Sequence, residues 1–485
     1  MPLELAITMS FGPCANAIGP AAAAAPSAAE LFIHVRLLII DAMSDLLLPS
    51  SATLTLYSMR EQIRPATSIT GAIQLPGDKS ISHRYAMLAA IAEGTTKLEN
   101  YSTGADCQST LACVRALGAV IDRRDGVISI QGCGLDGLRE PADMLDAGNS
   151  GSTIRMLSGI LAAQAFESRI GGDDSLSRRP MQRILEPLRQ MGASLDARDG
   201  RFPPLHIHGG QLHPIEYTLP VASAQVKSCV LLAGLYADGR TTVHEPVRTR
   251  DHTELALREF GADVEVVKRA ITVVGRPRLQ ARTLRVPGDL SSAAFFLVAA
   301  LLVPESTLTI HGVGLNPTRS TLLDFLVEMG ADLKILDVSS SGGELVGDVL
   351  IRKSSIRGGV LEKARTAALI DEIPVLAVLG AASEEGLIVR DASELRVKET
   401  DRIASIAENF RRMGLRITTH EDGFEIPGRQ KFHAATLDSF GDHRIAMAFS
   451  VAALVSDGEC VIEDSGAASV SFPEFFDTLH RAAGE

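Results

Sequence analysis

An internal repeat of about 70 residues constrains this chain more than any other feature of its sequence. Each copy opens with a short polar turn, and a helix that is apolar on nearly every side follows, as in YAMLAAIA after Gly77-Asp78. A helix that is hydrophobic all round is a buried one. The turns are Gly77-Asp78, Gly148-Asn149, Ala222-Ser223, Gly288-Asp289, Asp371-Glu372 and Gly441-Asp442. The pattern predicts six units, each with a buried helix.

A second signal recurs in the same units, because each contains an amphipathic helix that ends at a glycine, the residue preferred just past a helix C-terminus. Each stop lies 39 to 44 residues after the opening turn of its unit. The stops are Gly118, Gly192, Gly261, Gly330, Gly414 and Gly484. Chance spacing among 42 glycines is the alternative, and the near-constant separation of the paired signals argues against it.

Short β-branched runs such as GVISIQG and STLTIHG lie between the helices and indicate strands. The segment LPGDKSISHRYAMLAAI at Leu75 is similar to VPGDLSSAAFFLVAALL at Val286, an offset of 211 residues, or three units. We therefore expect an α/β fold with two similar domains, each built from three repeated β/α units.

The overall charge excludes some classes of partner. A net charge of -12 disfavours nucleic acid and anionic membranes, which require a broad positive field, so any anion must bind at a local basic cluster. The six cysteines form no CxxC pair and have no histidine partner at metal-ligand spacing, which argues against disulfides and a zinc site and favours a reducing, cytoplasmic compartment. The apolar run from Ala293 to Val303 is shorter than the roughly 20 residues that cross a bilayer.

The N-terminal segment differs in composition from the rest of the chain. Residues 1–58 are alanine-rich in part and fit neither a secretory signal nor a transit peptide. We interpret residues 1–66 as an extension outside the fold, with Met59 as a candidate initiator.

The opening turns are also candidate anion sites, since a helix N-terminus presents free N–H groups and the positive end of the helix dipole. At the first turn, Lys79, Ser80 and Arg84 add side-chain donors. The spacing of Gly71, Gly77 and Lys79 does not match a Walker A loop. Taken alone, GDKS is equally compatible with a solvated helix start. If all six turns faced one cleft, their arginines and lysines would form a pocket for a substrate with carboxylate and phosphate groups.

The motifs PGDKSISHR, DAGNSGSTIR, RRPM, ASAQVKS, RVKETDR and GDHRIAM, in this order, resemble the 5-enolpyruvylshikimate-3-phosphate (EPSP) synthase family, also called 3-phosphoshikimate 1-carboxyvinyltransferases. The resemblance covers about residues 67 to 479. It implies the enolpyruvyl transferase fold, an inside-out α/β barrel, with residues 77–285 as one domain and 67–76 plus 286–485 as the other. The implied reaction transfers the carboxyvinyl group of phosphoenolpyruvate to the 5-hydroxyl of shikimate 3-phosphate and releases phosphate, in aromatic amino-acid biosynthesis.

The resemblance also implies roles for individual residues. The shikimate 3-phosphate ligands would be Lys79, Ser80, Arg84, Ser223, Ala224, Gln225, Arg250, Asp371 and Lys398. The phosphoenolpyruvate ligands would be Lys79, Gly151, Arg179, Gln225, Arg402 and Arg444. Asp371 would be the base for the 5-hydroxyl, Glu399 the proton donor to C3 of phosphoenolpyruvate, and Lys79 a group that stabilises or protonates the leaving phosphate. No metal or organic cofactor is implied, and we expect a monomer acting on small molecules.

Two positions bear on how this chain compares with the family. Val470 stands where many members carry a lysine, two residues before Phe472-Pro473, which removes one expected phosphoenolpyruvate contact. Gly151 keeps the small residue that in the family leaves room for the inhibitor glyphosate, so we expect sensitivity to it.

Two rival functions stay open at this point. The sister enzyme that transfers the same group to UDP-N-acetylglucosamine shares the fold, but it has a Lys-Asn-Ala start and a loop cysteine, whereas this chain has Lys79-Ser80 and no cysteine between Cys133 and Cys229. A non-catalytic anion-binding homologue would be expected to lack Asp371, Glu399 or Lys79, and all three are present.

Overall fold

The computed structural model describes residues 59–484, in which short strands and helices alternate. The strands are β1 (Arg60–Ile63), β2 (Thr70–Gln74), β3 (Thr95–Glu99), β4 (Val120–Arg124), β5 (Val127–Gln131), β6 (Leu145–Asp146), β7 (Ser168–Gly171), β8 (Ser194–Arg198), β9 (Phe202–Gly209), β10 (Glu216–Thr218), β11 (Arg240–His244), β12 (Val264–Val267), β13 (Ala270–Val274), β14 (Thr283–Arg285), β15 (Thr307–Gly314), β16 (Asp332–Ser341), β17 (Glu344–Arg352), β18 (Gly358–Leu361), β19 (Gly386–Val389), β20 (Thr418–His420), β21 (Gly423–Ile426), β22 (Thr436–Asp438) and β23 (Cys460–Glu463). The α-helices are α1 (Lys79–Ile91), α2 (Ala105–Ala116), α3 (Gly151–Leu161), α4 (Gln182–Gln190), α5 (Ala224–Gly234), α6 (His252–Glu259), α7 (Leu290–Leu302), α8 (Thr321–Glu328), α9 (Lys363–Leu369), α10 (Ile373–Ala382), α11 (Arg402–Arg412), α12 (His443–Ala453) and α13 (Phe475–Ala483).

The six predicted buried helices are α1, α3, α5, α7, α10 and α12, and the prediction is confirmed most completely in α7, where all 13 residues are buried. Polar side chains of the opening turns cap most of these helices. The carboxylate of Asp78 accepts from the backbone N–H of Ile81 at 2.9 Å, and that of Asp442 accepts from Arg444 N–H at 2.8 Å. The turn residues therefore satisfy N–H groups that a buried helix start would leave unpaired.

The outer helices α2, α4, α6, α8, α11 and α13 each end near one of the predicted glycines. All six of these glycines have positive φ, between +74° and +108°. Only glycine adopts this conformation without strain, which explains why the stop recurs in every unit.

The strands of each unit follow one pattern. In β18-β19-β21-β20, for example, β18 runs parallel to β19, while β21 lies antiparallel to both β19 and β20. The other sheets are β14-β3-β5-β4, β6-β7-β9-β8, β10-β11-β13-β12, β16-β17-β15-β2 and the three-stranded β1-β23-β22. Within residues 59–484 these six sheets are open, and none of them closes into a barrel.

Two strands are exchanged between the halves of the chain. β2 precedes α1 yet pairs in parallel with β15, and β14 precedes α7 yet pairs in parallel with β3. The buried apolar residues accordingly form two clusters, one within residues 81–286 and one within residues 63–75 and 290–482. We refer to these parts as the first lobe (residues 77–286) and the second lobe (59–76 and 287–484).

The predicted N-terminal extension reaches too far into the chain. Residues 1–58 lie outside the described residues, but Arg60–Ile63 form β1, which pairs antiparallel with β23. Ile63 is 1% exposed in the core of the second lobe, and Ala66 N–H donates to the carbonyl of Leu454. The polar pattern of REQIRP does not indicate a strand, because this edge strand contributes a single buried side chain.

Two further observations concern the described part of the chain. Within residues 59–484, no helix combines the length and apolar character needed to cross a membrane. The cysteines there are free thiols, at Cys107, Cys113, Cys133, Cys229 and Cys460.

Candidate active site

The buried-helix N-termini of both lobes meet at a cavity of about 340 Å³. Every residue that the sequence assigns to substrate or catalysis lines it. They are Lys79, Ser80, Arg84, Gly151, Arg179, Ser223, Ala224, Gln225, Arg250, Asp371, Lys398, Glu399, Arg402 and Arg444. A larger cavity of about 580 Å³, near Lys353 in the second lobe, holds none of these residues. The supposition that the six turns face one cleft is therefore confirmed.

Lys79, the second residue after Gly77, is fixed by a carboxylate of the neighbouring helix α2. Its Nζ lies 3.0 Å from Oδ2 of Asp106, and both side chains are largely buried. Burial alone would lower the pKa of Lys79, but the negative charge of Asp106 raises it above the usual value. Lys79 is thus a positioned, fully charged ammonium group.

Arg84 lies one turn further along α1, and its guanidinium is held by hydroxyls. Nε donates to Thr253 Oγ1 at 2.6 Å and Nη2 donates to Ser228 Oγ at 2.8 Å. Burial lowers the pKa of Arg84 to about 10, so the group stays cationic at neutral pH. Since its partners are neutral, its charge remains available for an anion.

Gly151 opens helix α3 beside a third cation, Arg155. A Cβ at Gly151 would lie 2.6 Å from Nη1 of Arg155, so the glycine makes room for this guanidinium. Arg155 Nη1 donates to Oε1 of Gln225 at 2.8 Å, and Nε2 of Gln225 donates to Ser152 Oγ at 3.0 Å. Burial lowers the pKa of Arg155 to about 10. The chain Arg155–Gln225–Ser152 ties α3 to α5.

Glu399 sits between arginines from the two lobes. Its Oε2 accepts from Arg402 Nη2 at 2.6 Å, and its Oε1 lies 3.6 Å from Arg179 Nη1. Arg179 is in turn oriented by Asn149, whose Oδ1 accepts from Nη2 at 2.7 Å. Burial would raise the pKa of Glu399, but these arginines, with His443 and Lys398, hold it well below its usual range.

Four cationic side chains contact Asp371. Its carboxylate lies 2.7 Å from Arg250 Nη2, 3.3 Å from Lys398 Nζ and 3.7 Å from Arg402 Nη1, while its backbone carbonyl accepts from Arg444 Nη1 at 2.8 Å. Burial opposes ionisation, but the positive charges outweigh it and hold the pKa of Asp371 well below its usual range. Asp371 is therefore an ionised carboxylate at neutral pH.

Sequence reasoning missed several charged residues of this cavity, among them Asp106 and Arg319. Arg319 is 7% exposed, and its Nη2 lies 3.4 Å from Asp289 Oδ1. Both residues stand just before or at the start of the second helix of their unit, the position that Arg250 and Arg402 occupy in other units. An alignment of the six sequence repeats at the starts of their outer helices, as well as at their opening turns, would have identified both residues.

The loss of a phosphoenolpyruvate contact at Val470 stays a prediction. This residue ends the 3-10 helix Ser465–Val470 and is not among the residues that line the cavity. Asp106, Asp289, Asp371 and Glu399 each lie within 4.0 Å of an arginine or lysine nitrogen, so cations surround these carboxylates.

Comparison with known proteins decides the family. The family model described as EPSP synthase (3-phosphoshikimate 1-carboxyvinyltransferase) matches residues 63–479. The chain belongs to the EPSP synthase family. It is 66% identical over 425 residues to a 3-phosphoshikimate 1-carboxyvinyltransferase of Solibacter usitatus, covering 88% of this chain and 100% of that protein. It is 52% identical to the protein of that name from Koribacter versatilis, covering 87% of this chain and 98% of that one.

Solved structures agree with this family assignment. An EPSP synthase of Acinetobacter baumannii superposes with a TM-score of 0.78 at 43% identity, covering 87% of this chain and 98% of that chain. The enolpyruvyl transferase NikO of Streptomyces tendae superposes with a TM-score of 0.71 at 20% identity, covering 87% and 96%, and shows the shared fold. The enolpyruvyl transferase fold predicted from the sequence is thereby confirmed, and with it the EPSP synthase family.

Proposed function

We propose that this chain is an EPSP synthase that transfers the carboxyvinyl group of phosphoenolpyruvate to the 5-hydroxyl of shikimate 3-phosphate and releases phosphate. The observation that carries the proposal is the convergence of all 14 assigned residues on one cavity in a chain of this family. The cavity combines several cations with two ionised carboxylates, which suits a reaction between two anions that also moves protons.

Phosphoenolpyruvate is assigned to the side of the cavity lined by Lys79, Arg179, Arg402 and Arg444. Planar guanidinium groups match carboxylate and phosphate oxygens two at a time, and Lys79 contributes a point charge. Gly151 and Gln225 complete this subsite. Lys79 faces Asp106, and Arg179 and Arg402 face Glu399, so the substrate's anionic groups would compete with these carboxylates.

Shikimate 3-phosphate is assigned to the side lined by Arg84 and Arg250, with Ser80, Ser223, Ala224, Gln225 and Lys398 around it. The N-terminus of α5 begins at Ala224, where free N–H groups favour a phosphate. Arg84 retains its charge among neutral hydroxyls, which supports an anionic partner. Gln225 would lie between the two substrates, and Lys79 is assigned to both of them.

The chemistry requires a new bond between the 5-hydroxyl oxygen and C2 of phosphoenolpyruvate, with a proton added to C3. The bond from C2 to the phosphate oxygen then breaks, and C3 loses a proton to restore the alkene. Asp371, ionised and on the shikimate side, is assigned as the base for the hydroxyl. Glu399 is assigned to donate and recover the proton at C3, and Lys79 to stabilise the leaving phosphate. No metal or organic cofactor enters this scheme.

The proposal extends to the oligomeric state, the compartment and the domain division of the enzyme. We propose a monomer in the cytoplasm whose two domains are the first lobe (residues 77–286) and the second lobe (59–76 and 287–484). The exchanged strands β2 and β14 and the two apolar clusters support the division. One chain supplies every assigned residue, which supports a monomer, and the free thiols support a reducing compartment. The net charge supports small anions rather than nucleic acid as partners.

A phosphate-release assay tests this function. The purified chain is supplied with phosphoenolpyruvate and either shikimate 3-phosphate or UDP-N-acetylglucosamine, and the carboxyvinyl product is identified by mass spectrometry. We expect release with shikimate 3-phosphate alone. Release only with the sugar nucleotide would favour the sister enzyme, and no release with either acceptor would favour a non-catalytic homologue. Lys79→Met, which removes the ammonium group but keeps most of the side chain, is the inactive control.

A further inference from the structure

A cluster of metal-ligating side chains lies outside the cavity, on the exposed face of the sheet β6-β7-β9-β8. Ligand atoms of Glu167, His206 and His208 all lie within 4.8 Å of one another. The three side chains are 62%, 40% and 31% exposed, so a cation could reach them from solvent.

The strand register places these residues together. His206 and His208 are two positions apart on β9, so they share a face, while Leu205 before them and Ile207 between them are fully buried on the other face. Ser168 of β7 pairs with Ile207, which brings Glu167 opposite His208. The core pattern of the sheet thus forces both imidazoles outward beside one carboxylate.

The distances suit tetrahedral coordination. Nε2 of His206 lies 3.3 Å from Oε2 of Glu167, and Nδ1 of His208 lies 3.3 Å from Oε1 of the same residue. Bonds of about 2.0–2.2 Å from zinc to nitrogen and oxygen place neighbouring tetrahedral ligands roughly 3.3–3.5 Å apart. Glu167 thus lies at ligand spacing from both imidazoles, and one ligand atom from each of the three residues falls within 4.8 Å of the others.

Asp196 of β8 adds a second observation. Its Oδ2 lies 3.2 Å from Nε2 of His208, the ring nitrogen that faces away from Glu167. A carboxylate in this place accepts the Nε2 proton and leaves Nδ1 free, an arrangement common behind metal-bound histidines.

We propose that Glu167, His206 and His208 form a surface site for a divalent transition-metal ion, with Zn²⁺ as the ion that fits best and Asp196 as the residue that orients His208. Two imidazoles and one carboxylate are a ligand set typical of zinc, with a water molecule completing the coordination. None of these residues lines the cavity, so the site is independent of the transfer reaction.

Equilibrium dialysis of the full-length chain against ZnCl₂, with bound zinc quantified, tests the site. We expect one Zn²⁺ per chain that is lost in the double variant His206→Ala/His208→Ala, and an affinity about tenfold lower in Asp196→Asn. Arg169→Gln, which removes a positive charge from the register partner of His206, should tighten binding. Turnover should be unchanged in all of these variants.

His244→Ala is the matched control, because His244 is an exposed histidine that contacts a single carboxylate, Glu216, at 2.6 Å. Its zinc binding should equal that of the unaltered chain. A Co²⁺-loaded protein should also show the absorption of tetrahedral cobalt, and the double variant should not. Equal zinc binding in the double variant, or none in the unaltered chain, would overturn the proposal and leave a hydrogen-bonded surface network.

Discussion

Arg402 joins the two carboxylates to which the reaction assigns opposite roles. It is 1% exposed, donates through Nη2 to Glu399 and through Nε to Asp442, and its Nη1 lies 3.7 Å from Asp371. A lysine could not make these contacts, since it has one nitrogen rather than a planar fork. The states of Asp371 and Glu399 are thus coupled through one guanidinium, and a charge arriving at either carboxylate acts on the other.

Asp371→Asn tests the assigned base. The amide keeps the size of the side chain but cannot accept a proton, so we expect the kcat to fall by roughly 10²–10⁴-fold while both substrates still bind. Steady-state kinetics and calorimetric binding measure the two quantities. Asp391→Asn is the control, because Asp391 also lines the cavity, has a φ of +57° that asparagine tolerates, and carries no assigned role. A kcat within a few-fold of normal in Asp371→Asn would refute the assignment.

Proton uptake on phosphoenolpyruvate binding tests the assigned acid. Glu399 is ionised in the free enzyme because arginines depress its pKa, and it must gain a proton before it can donate one. An anionic substrate that takes over Arg179 and Arg402 removes this effect and raises the pKa, so binding at mildly acidic to neutral pH should take up protons, increasingly as the pH falls. Calorimetry in buffers of different ionisation enthalpy measures the uptake.

Two variants separate Glu399 from other titrating groups. Glu399→Gln should abolish most of the uptake while still binding phosphoenolpyruvate. Glu394→Gln, whose carboxylate pairs with the half-exposed Arg183, should leave it intact. If uptake is unchanged in Glu399→Gln, the proton goes to another group and the assignment is wrong.

Gly151→Ala tests the space reserved for Arg155. The new methyl group would lie 2.6 Å from Nη1 of Arg155 and 3.6 Å from Nη1 of Arg179, so the flexible Arg155 side chain must move. A displaced charge-assisted contact is worth about 1.5–3 kcal/mol, so we expect the KM for phosphoenolpyruvate to rise by about 10- to 100-fold with kcat largely retained. Glyphosate, which the unaltered enzyme should bind, should inhibit this variant less.

The control for this prediction is Gly458→Ala, since Gly458 does not line the cavity and the added methyl group would meet only Ala434, at 3.1 Å. Its kinetics should be normal. An unchanged KM in Gly151→Ala would mean that the contact of Arg155 with Gln225 does not contribute to phosphoenolpyruvate binding. Indifference of the unaltered enzyme to millimolar glyphosate would contradict the expected sensitivity.

At the scale of elements, the sequence predicted the periodic features well because local chemistry determines them. Apolar helices such as α7 must be buried, and a terminal glycine such as Gly330 is required by its backbone conformation. The pairing of strands that are distant in the sequence was harder to predict. The exchange of β2 and β14 follows from contacts between distant residues, and β1 carries a single buried side chain, Ile63, which gives no recognisable period.

The cavity residues also divide into those marked by a local sequence pattern and those brought in by contacts between distant residues. Lys79 and Arg402 stand in charge-rich motifs after turns and were found from the sequence, whereas Asp106 sits in an ordinary amphipathic helix, ADCQSTLACVRA. Its role comes from packing of α2 beside α1, which brings its carboxylate 3.0 Å from Lys79. Because only tertiary packing brings this carboxylate into the cavity, no local sequence pattern marks it.

Two of the terminal glycines test the repeat as a structural device. Gly261 and Gly330 have φ of +96° and +108°, and a Cβ would meet nothing closer than 3.7 Å at Gly261 but the Ser355 carbonyl at 2.9 Å at Gly330. Gly261→Ala should cost about 1–2 kcal/mol from backbone strain alone, and Gly330→Ala should cost more because of the added clash. Urea unfolding measures both, with turnover expected to be normal. If neither substitution lowers the free energy of unfolding, the backbone conformation at the helix ends does not require glycine.

At the scale of the whole molecule, the cavity exists only where the lobes meet. Arg250 of the first lobe contacts Asp371 of the second, and Arg179 contacts Glu399 in the same way. The chain passes between the lobes at two places, near Pro76 and Val286, where the exchanged strands lie. We expect these two adjacent crossings to act as a hinge, because an opening there would leave both apolar cores intact.

Small-angle X-ray scattering with and without ligands tests closure of the two lobes. Ion pairs such as Arg250–Asp371 and Arg179–Glu399 join the two lobes, and their side chains are 10–21% exposed. Substrate anions would add contacts to cations of both lobes at once, so we expect the radius of gyration to fall when shikimate 3-phosphate and an unreactive phosphoenolpyruvate analogue are added together. Arg250→Gln, which removes a link to Asp371, should require more ligand for the same change. An unchanged radius under saturating ligands would mean that the lobes are rigid, and that substrates enter a cavity that is already formed.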